Sequence, residues 1–415
     1  MQLAADLAFL PSLRRLRAFD HVASAGGLNA AAATLHLSQP AITNAVRALE
    51  SDVGARLFDR GATGSSLTPA GHVLRRRTTR LFSQVEATFH GVAGASQPDA
   101  PKRLAAKLTG TQIRSLIAIW ESGSFRAAAE RLQCSQPAVH RPARDLERSL
   151  KVSLFRKTPH GVGLTRPGAE LARRLSIAMR EIVSGLEELT VLAGRPQSRL
   201  SVGSLVLAPK RLLAAASQNL LLRHPDAHLE IREDSYEELT RLLRSGALDM
   251  VFGAVRDPPL YDDLSAEGFF NDPYAIVCRK DHPLTQRARV TPRDLTAYDW
   301  ILPTVGLPRR TVLEEIITQW RLHLRGRIET TSLSTIVAFL AESDRLSLLS
   351  HDFFLVGGAS DLLVALDLRV PQPARQVGLT TRRDWLATDF QNDFVSALRA
   401  VCAARNGKRS DEHNQ

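Results

Sequence analysis

Through the first half of the chain, apolar residues fall at helical spacing. Ile42, Val46 and Leu49 share one helix face, which leaves Gln39, Thr43, Asn44 and Arg47 pointing outward. The alanine-rich run from Ala30 to Leu35 predicts a preceding helix that a neighbour can approach closely. Ser38 followed by Pro40 marks the next helix start: the hydroxyl can accept an orphan backbone N–H, and proline in a first turn forfeits no hydrogen bond. Stripes at Leu74, Leu81, Val85 and Phe89, and at Leu171, Leu175, Ala178, Ile182, Leu186 and Leu189, predict two long helices. From Arg199 the period changes. Strand patterns at 200–203, 229–231 and 248–255 alternate with helical ones at 209–223 and 236–244. A second set follows, with strands near 276–278, 300–302, 328 and 346–349 and helices at 311–320 and 335–341; residues 377–381 and a helix at 390–401 close the chain. Alternation of this kind predicts parallel sheets covered by helices.

The helical half repeats itself. Ser38-Gln39-Pro40-Ala41 returns as Ser135-Gln136-Pro137-Ala138, an offset of 97. At that offset Ala30, Ala31, Ala32 and Leu35 meet Ala127, Ala128, Ala129 and Leu132, and Leu49-Glu50 meets Leu146-Glu147. Leu57-Phe58 meets Leu154-Phe155, and Leu67-Thr68 with Gly71 meets Leu164-Thr165 with Gly168. One small domain is therefore duplicated in tandem. Within each copy the Leu-Phe and Leu-Thr pairs flank a Gly-rich tip, a pattern that predicts a hairpin, with Arg60 at its base in the first copy and Lys157 in the second.

An alanine-rich helix, Ser-Gln-Pro-Ala, Leu-Glu, Leu-Phe and Leu-Thr before a Gly together resemble the winged helix-turn-helix of LysR-type transcriptional regulators, met nearly whole twice. The resemblance implies an α/β multidomain chain: two winged helix-turn-helix domains with long linker helices, then a two-lobed α/β domain similar to periplasmic solute-binding proteins. The expected boundaries are 11–71 for the first winged unit, 72–90 for its linker helix and 91–107 for a flexible linker. The second unit spans 108–168 and its helix 169–194. The effector-binding domain is 199–405, with lobe I at about 199–275 and 377–405, lobe II at about 276–376, and a polar tail at 406–415.

Small polar and basic groups on the first turns of a second helix are what a helix-turn-helix uses to reach base edges in the major groove. The DNA-binding candidates are Ser38, Gln39, Pro40, Thr43, Asn44, Arg47 and Arg60 in the first copy. Their counterparts are Ser135, Gln136, Pro137, His140, Arg141, Arg144 and Lys157. Thr43-Asn44 against His140-Arg141 implies unlike half-sites, since Asn suits adenine and Arg suits guanine. Pro142, two turns into its helix, predicts a kink or a re-aimed helix. In the family the long helix pairs antiparallel with that of another subunit. Here the two copies could pair with each other, because a linker of about 18 residues reaches up to roughly 60 Å, or pairing could run between chains with one copy idle.

Charge sharpens the division. Residues 1–197 carry 27 Lys and Arg against 15 Asp and Glu, and the remainder 27 against 28, so the net +11 lies in the duplicated half, as a polyanion-binding module requires. Cys134, Cys278 and Cys402 are widely spaced and suggest neither a disulfide framework nor a zinc site, which points to a reducing cytoplasm. Neither a signal-peptide pattern nor an apolar run of spanning length is present, so no membrane partner is expected. No Gly-x-Ser-x-Gly, Walker or His-Glu-x-x-His motif occurs, and Gly161-Val162-Gly163 with Gly168 occupies a hairpin tip rather than a dinucleotide loop. The sequence points to no enzyme, no cofactor and no metal.

In the rear half, Leu243-Arg244-Ser245-Gly246-Ala247-Leu248-Asp249 and Arg279-Lys280-Asp281-His282-Pro283-Leu284 fit phrases usual in LysR-type effector domains. Val255-Arg256-Asp257-Pro258, Ser343-Asp344-Arg345-Leu346 and Gly378-Leu379-Thr380-Thr381-Arg382 look like the subgroup labelled galactose-binding-protein regulator. Ligands of such folds sit at strand carboxyl ends and helix N-termini. The effector-binding candidates are accordingly Ser204, Arg256, Thr304, Gly306, Arg309, Ser332, Ser334 and His351. Arginine, hydroxyls and free N–H groups favour a carboxylate, an aromatic acid or a sugar-like compound. The expected partners are double-stranded promoter DNA with an imperfect inverted repeat, a small-molecule effector, further copies of the chain, and RNA polymerase. A constitutive or architectural DNA-binding protein without a ligand switch is the alternative.

Overall fold

The computed structural model describes residues 7, 10–27, 38–61, 64–92, 100–158, 161–195, 198–351 and 361–412. The chain divides into two compact units, one built on residues 1–199 and the other on most of residues 200–415.

In the first unit, α1 (Leu13–Ala25) and α2 (Gln39–Val53) lead into a hairpin of β1 (Phe58–Gly61) and β2 (Gly64–Leu67), then into α3 (Pro69–Val92). After α4 (Ala100–Lys107) the order returns as α5 (Gly110–Ser122), α6 (Phe125–Arg131), α7 (Gln136–Leu150), β3 (Phe155–Thr158), β4 (Gly161–Leu164) and α8 (Arg166–Leu192). The first copy's alanine-rich stretch, 30–35, lies outside the described residues; its counterpart forms α6.

The duplicated phrases have a common physical cause. Glu50 Oε1 accepts the N–H of Leu57 at 2.8 Å and of Phe58 at 3.4 Å; Glu147 Oε1 accepts those of Leu154 at 2.8 Å and Phe155 at 3.1 Å. Each carboxylate thus pins the start of its hairpin to the helix before it. Thr68 and Thr165 then donate to the carbonyls of Arg56 and Ser153, both at 2.7 Å, and accept the N–H of Gly71 and Gly168. Those glycines are required by close approach, because a Cβ would lie 2.1 Å from the Leu57 carbonyl oxygen and 2.3 Å from that of Leu154.

α3 and α8 lie antiparallel, and Leu74, Leu81, Val85 and Phe89 join Leu171, Leu175, Ala178 and Ile182 in one core. Within the stretch expected as a flexible linker, residues 100–107 form α4 instead. Pro101 sits in its first turn, Leu104 and Leu108 pack on the same core, and Arg17 donates to the carbonyls of Ala105 at 2.6 Å and Leu108 at 3.0 Å. α7 runs through Pro142 to Leu150 as one helix, with Val139, Ala143 and Leu146 buried on either side of it.

The second unit carries a five-stranded sheet ordered β6-β5-β7-β14-β8. Its strands are β5 (Arg199–Leu205), β6 (His228–Asp234), β7 (Met250–Ala254), β8 (Leu264–Asp272) and β14 (Arg375–Arg382), with α9 (Lys210–Arg223), α10 (Tyr236–Arg244) and α13 (Asp389–Glu412) among them. A three-stranded sheet, β12-β9-β13, comprises β9 (Tyr274–Arg279), β12 (Ser347–Ser350) and β13 (Leu363–Ala365). Beside it β10 (Asp299–Leu302) pairs in parallel with β11 (Arg325–Glu329), and α11 (Pro308–Trp320) and α12 (Leu333–Ala341) complete the layer. The five-stranded sheet is mixed rather than parallel, and the three-stranded sheet is antiparallel throughout. β5 and β7 run parallel, as the alternation predicts, but β14 is antiparallel to both β7 and β8. β8 was not visible in the periodicity: its residues alternate irregularly between buried and exposed. α13 extends to Glu412, through part of the stretch expected as a polar tail.

Candidate nucleic-acid interface and effector site

Both exposed helices start at a serine in extended conformation. Ser38 Oγ accepts the N–H of Ala41 at 3.3 Å; Ser135 has the same backbone shape without the side-chain bond. Burial of Ile42, Val46 and Leu49 turns Ser38, Gln39, Pro40, Asn44 and Arg47 to solvent, with Thr43 half-buried. Burial of Val139, Ala143 and Leu146 does the same for Ser135, Gln136, Pro137, His140 and Arg141. Lys157 is exposed on β3; Arg60 lies on β1, its side chain outside the described set.

The copies differ at one pair of equivalent arginines. Arg47 is exposed and has no ion-pair partner among the described residues. Arg144 Nη1 donates to Glu147 Oε2 at 2.6 Å, and its guanidinium lies over the rings of Phe155 at 5.0 Å and Phe125 at 5.9 Å. Burial pushes the Glu147 carboxyl up, but Arg144 and the two backbone N–H groups outweigh it and hold the pKa below the ordinary value. Arg144 was expected among the DNA contacts; the structure turns it back onto its own unit. His140 leans on Phe125, ring centroids 4.9 Å apart, with its outer edge exposed.

In the second unit the carboxyl ends of three strands converge on Arg375. Its guanidinium donates to Asp272 at 2.6 Å, to Ser350 Oγ at 2.8 Å and to the carbonyl of Leu207, just past β5, at 2.7 Å. Arg309, in the first turn of α11, is 5% exposed and donates to the Leu348 carbonyl at 3.2 Å. No carboxylate pairs with it among the described residues. Burial brings its pKa down to about 10, with Arg375 adding to the effect and Tyr274 opposing it. Ser204, at the end of β5, is buried and its hydroxyl has no hydrogen-bond partner among the described residues. A buried cation without a counter-charge is stabilised by any anion brought to it.

Two family descriptions match the chain. The bacterial regulatory helix-turn-helix protein, lysR family, matches residues 13–72 and again 111–169, and the LysR substrate binding domain matches residues 193–403. The chain belongs to the LysR family of transcriptional regulators. The HTH-type transcriptional regulator GalR of Pseudomonas putida is 27% identical over 393 residues, spanning 94% of this chain and 98% of that relative. The SDS degradation transcriptional activation protein of a Pseudomonas species is 33% identical over 251 residues, 58% of this chain and 78% of its own. Among solved structures, a full-length OxyR variant from Pseudomonas aeruginosa shares the fold with a TM-score of 0.53 at 21% identity, covering 70% of this chain and 93% of that one. This LysR-type chain is therefore a DNA-binding regulator with an effector-binding domain, and its family and relatives are regulators rather than enzymes.

Among the effector candidates in this LysR-type chain, Arg309 and Ser204 are buried, and the His351 N–H bonds the Pro273 carbonyl at 2.9 Å beside Ser350. The others are placed differently. Arg256 lies 4.1 Å over the Tyr236 ring and pairs with Glu237 at 3.2 Å. Ser332 caps α12 by accepting the N–H of Thr335, and its hydroxyl meets that of exposed Ser334 at 3.1 Å. Thr304 is half-buried and Gly306 is exposed in the turn before α11, with φ +89°. Sequence reasoning missed Arg375, Asp272 and Tyr274. Their one local signal is Asn271-Asp272-Pro273, where the chain leaves one sheet for the other.

Proposed function

We propose that residues 11–71 and 108–168 are two winged helix-turn-helix units that together grip one promoter site, with α3 and α8 as linker helices covering 72–90 and 169–194. The observation that carries this reading is the local two-fold relation of those helices. A Cβ on Gly91 would lie 3.4 Å from Arg174, while Arg77 bonds Glu188; the offset of 97 exchanges these two contacts. Units related in this way suit an inverted repeat. Thr43 and Asn44 facing one half-site, with His140 and Arg141 facing the other, make that repeat imperfect. Arg60 and Lys157 on the hairpins supply phosphate contacts.

The effector in this reading is an organic acid, aromatic or polyhydroxylated, whose carboxylate is held by Arg309 with Ser204 and the N-terminus of α11 nearby, between lobes of about 199–275 with 377–405 and 276–376. Edge strand β6 exposes Ile231, and α9 exposes Leu222 at 78%, a surface suited to another copy of the chain. Such a regulator works in the cytoplasm, with RNA polymerase as its downstream partner. Footprinting on the chain's own upstream region tests the reading. Protection of two unequal half-sites that shifts with added organic acids supports it. Protection no stronger than on scrambled duplex overturns it, and protection indifferent to every acid tried leaves only the constitutive DNA-binding alternative.

A further inference from the structure

On the face where α3 meets α8 the duplication kept Arg76 and Arg77, as Arg173 and Arg174, but Glu181 and Glu188 have no carboxylate counterpart in α3. Arg77 is 1% exposed; it donates to Glu181 at 2.9 Å through Nη1 and to Glu188 at 2.8 Å through Nη2 and 3.1 Å through Nε. Arg80 bonds the other oxygen of Glu181 at 2.9 Å, and Arg76 bonds Glu188 at 2.8 Å. Gly185 makes room for this cluster, since a Cβ there would lie 3.1 Å from Arg77 Cγ. Burial alone would lower the Arg77 pKa, but Glu188 and Glu181 overcome it and hold the pKa above its ordinary value.

Shifting by 97 shows what each helix would meet in a copy of itself. The positions in α3 equivalent to Glu181, Gly185 and Glu188 are Gln84, Thr88 and Gly91. An α3–α3 pair would therefore bury two Arg77 side chains against Gln84, Thr88 and Gly91, with no carboxylate opposite and with Thr88 where Gly185 makes room. An α8–α8 pair would set Arg174 against Glu181 and Glu188, which is tolerable. In the structure, however, Arg174 bonds Glu170 of its own helix at 2.7 Å. Burying a cation without its partner is strongly unfavourable, so α3 must find α8, and the nearest α8 belongs to the same chain.

We infer that Arg77 set against Glu181, Gly185 and Glu188 is a pairing code that bars α3 from a copy of itself and commits it to α8. Each chain then closes its two duplicated units onto one another, as a complete head of fixed polarity that does not exchange helices with a second chain. The code concerns helix pairing alone; its consequence for promoter reading rests on the proposed function.

The test uses the full-length chain with Cys134→Ser, Gly91→Cys and Arg174→Cys, leaving the code intact, and a short bismaleimide linker. Two differently tagged forms are produced in one cell and then cross-linked. The expected product is linked within one chain at every protein concentration. A product joining the two tags as the main species, or none, overturns the inference. Adding Glu181→Gln with Glu188→Gln should cut the within-chain yield severalfold, and Arg77→Met on top should restore it, because the stranded charge is gone. If the yield stays down in the triple variant, the cluster contributes packing and not a code. No DNA enters these readouts, so promoter reading can fail or stand independently.

Discussion

The N–H of Leu154 lies 2.8 Å from a carboxylate oxygen of Glu147, seven residues earlier, and Leu57 stands in the same relation to Glu50. Because the same oxygen also holds the next N–H, Glu147→Ala leaves two backbone donors unpaired. A loss of about 1–3 kcal/mol per buried group is expected, measured as a lower urea midpoint for the second copy. The pH sign follows from the depressed pKa. Its stabilisation is fully present above the ordinary value of 4.5 and is lost as pH falls through the lower folded value. Glu147→Ala and the parent should therefore converge in stability at acid pH. A constant gap down to complete protonation would show that the carboxylate charge is not what stabilises the hairpin.

Arg309 is expected to cost stability while empty and to be indispensable when occupied. Arg309→Met should leave the ligand-free unfolding midpoint unchanged or raise it, within about 1–4 kcal/mol, because a buried guanidinium with one carbonyl partner is replaced by an apolar chain of similar reach. The same variant should weaken binding of an activating organic acid by tenfold or more, about 1.4 kcal/mol upward. Thermal shifts with and without the acid check both halves. A strongly destabilised Arg309→Met that still binds the acid would make this arginine a structural tie.

Much of this could be read in advance, for reasons the structure makes plain. The repeat was legible because Glu50, Thr68 and Gly71 each perform a backbone task that no other residue type at that position does as well, so the second copy needs Glu147, Thr165 and Gly168. α10 was legible to the residue because Leu239, Leu242 and Leu243 form a clean stripe. What escaped was decided by distant partners. Position alone marks Arg144 as a DNA contact; that Glu147, Phe155 and Phe125 hold it in this structure is not visible in the local pattern. α4 looked like a linker by composition until Arg17, 88 residues away from Ala105, bonded its last turn. Asp272 and Arg375 are 103 residues apart, and no local pattern pairs them.

The two equivalent arginines should behave unequally on DNA. Arg47→Ala is expected to weaken promoter binding and to reduce the slope of log affinity against log salt by about 1, one phosphate neutralisation lost. Arg144→Ala should leave that slope unchanged, its charge being spent on Glu147, and should instead lower the unfolding midpoint. Fluorescence anisotropy across a salt series, with a melting curve for each variant, checks the pair. Equal losses of slope would mean that Arg144 leaves Glu147 when DNA binds.

Base preference should follow the equivalent exposed residues Asn44 and Arg141 of the two reading helices. Asn44 can offer its amide to adenine N6 and N7, whereas Arg141, its counterpart, is built for guanine O6 and N7. Asn44→Arg should thus shift one half-site from adenine toward guanine by about 1–3 kcal/mol, making the two half-sites more alike. Selection from a randomised duplex, comparing parent and variant, reads this directly. Because both side chains are exposed and make no ion pair within the described residues, the exchange should leave the unfolding midpoint unmoved. If the selected half-sites do not change while binding persists, α2 sits on the backbone and takes no part in reading bases; the sequence preference must then come from α7 or from the shape of the duplex.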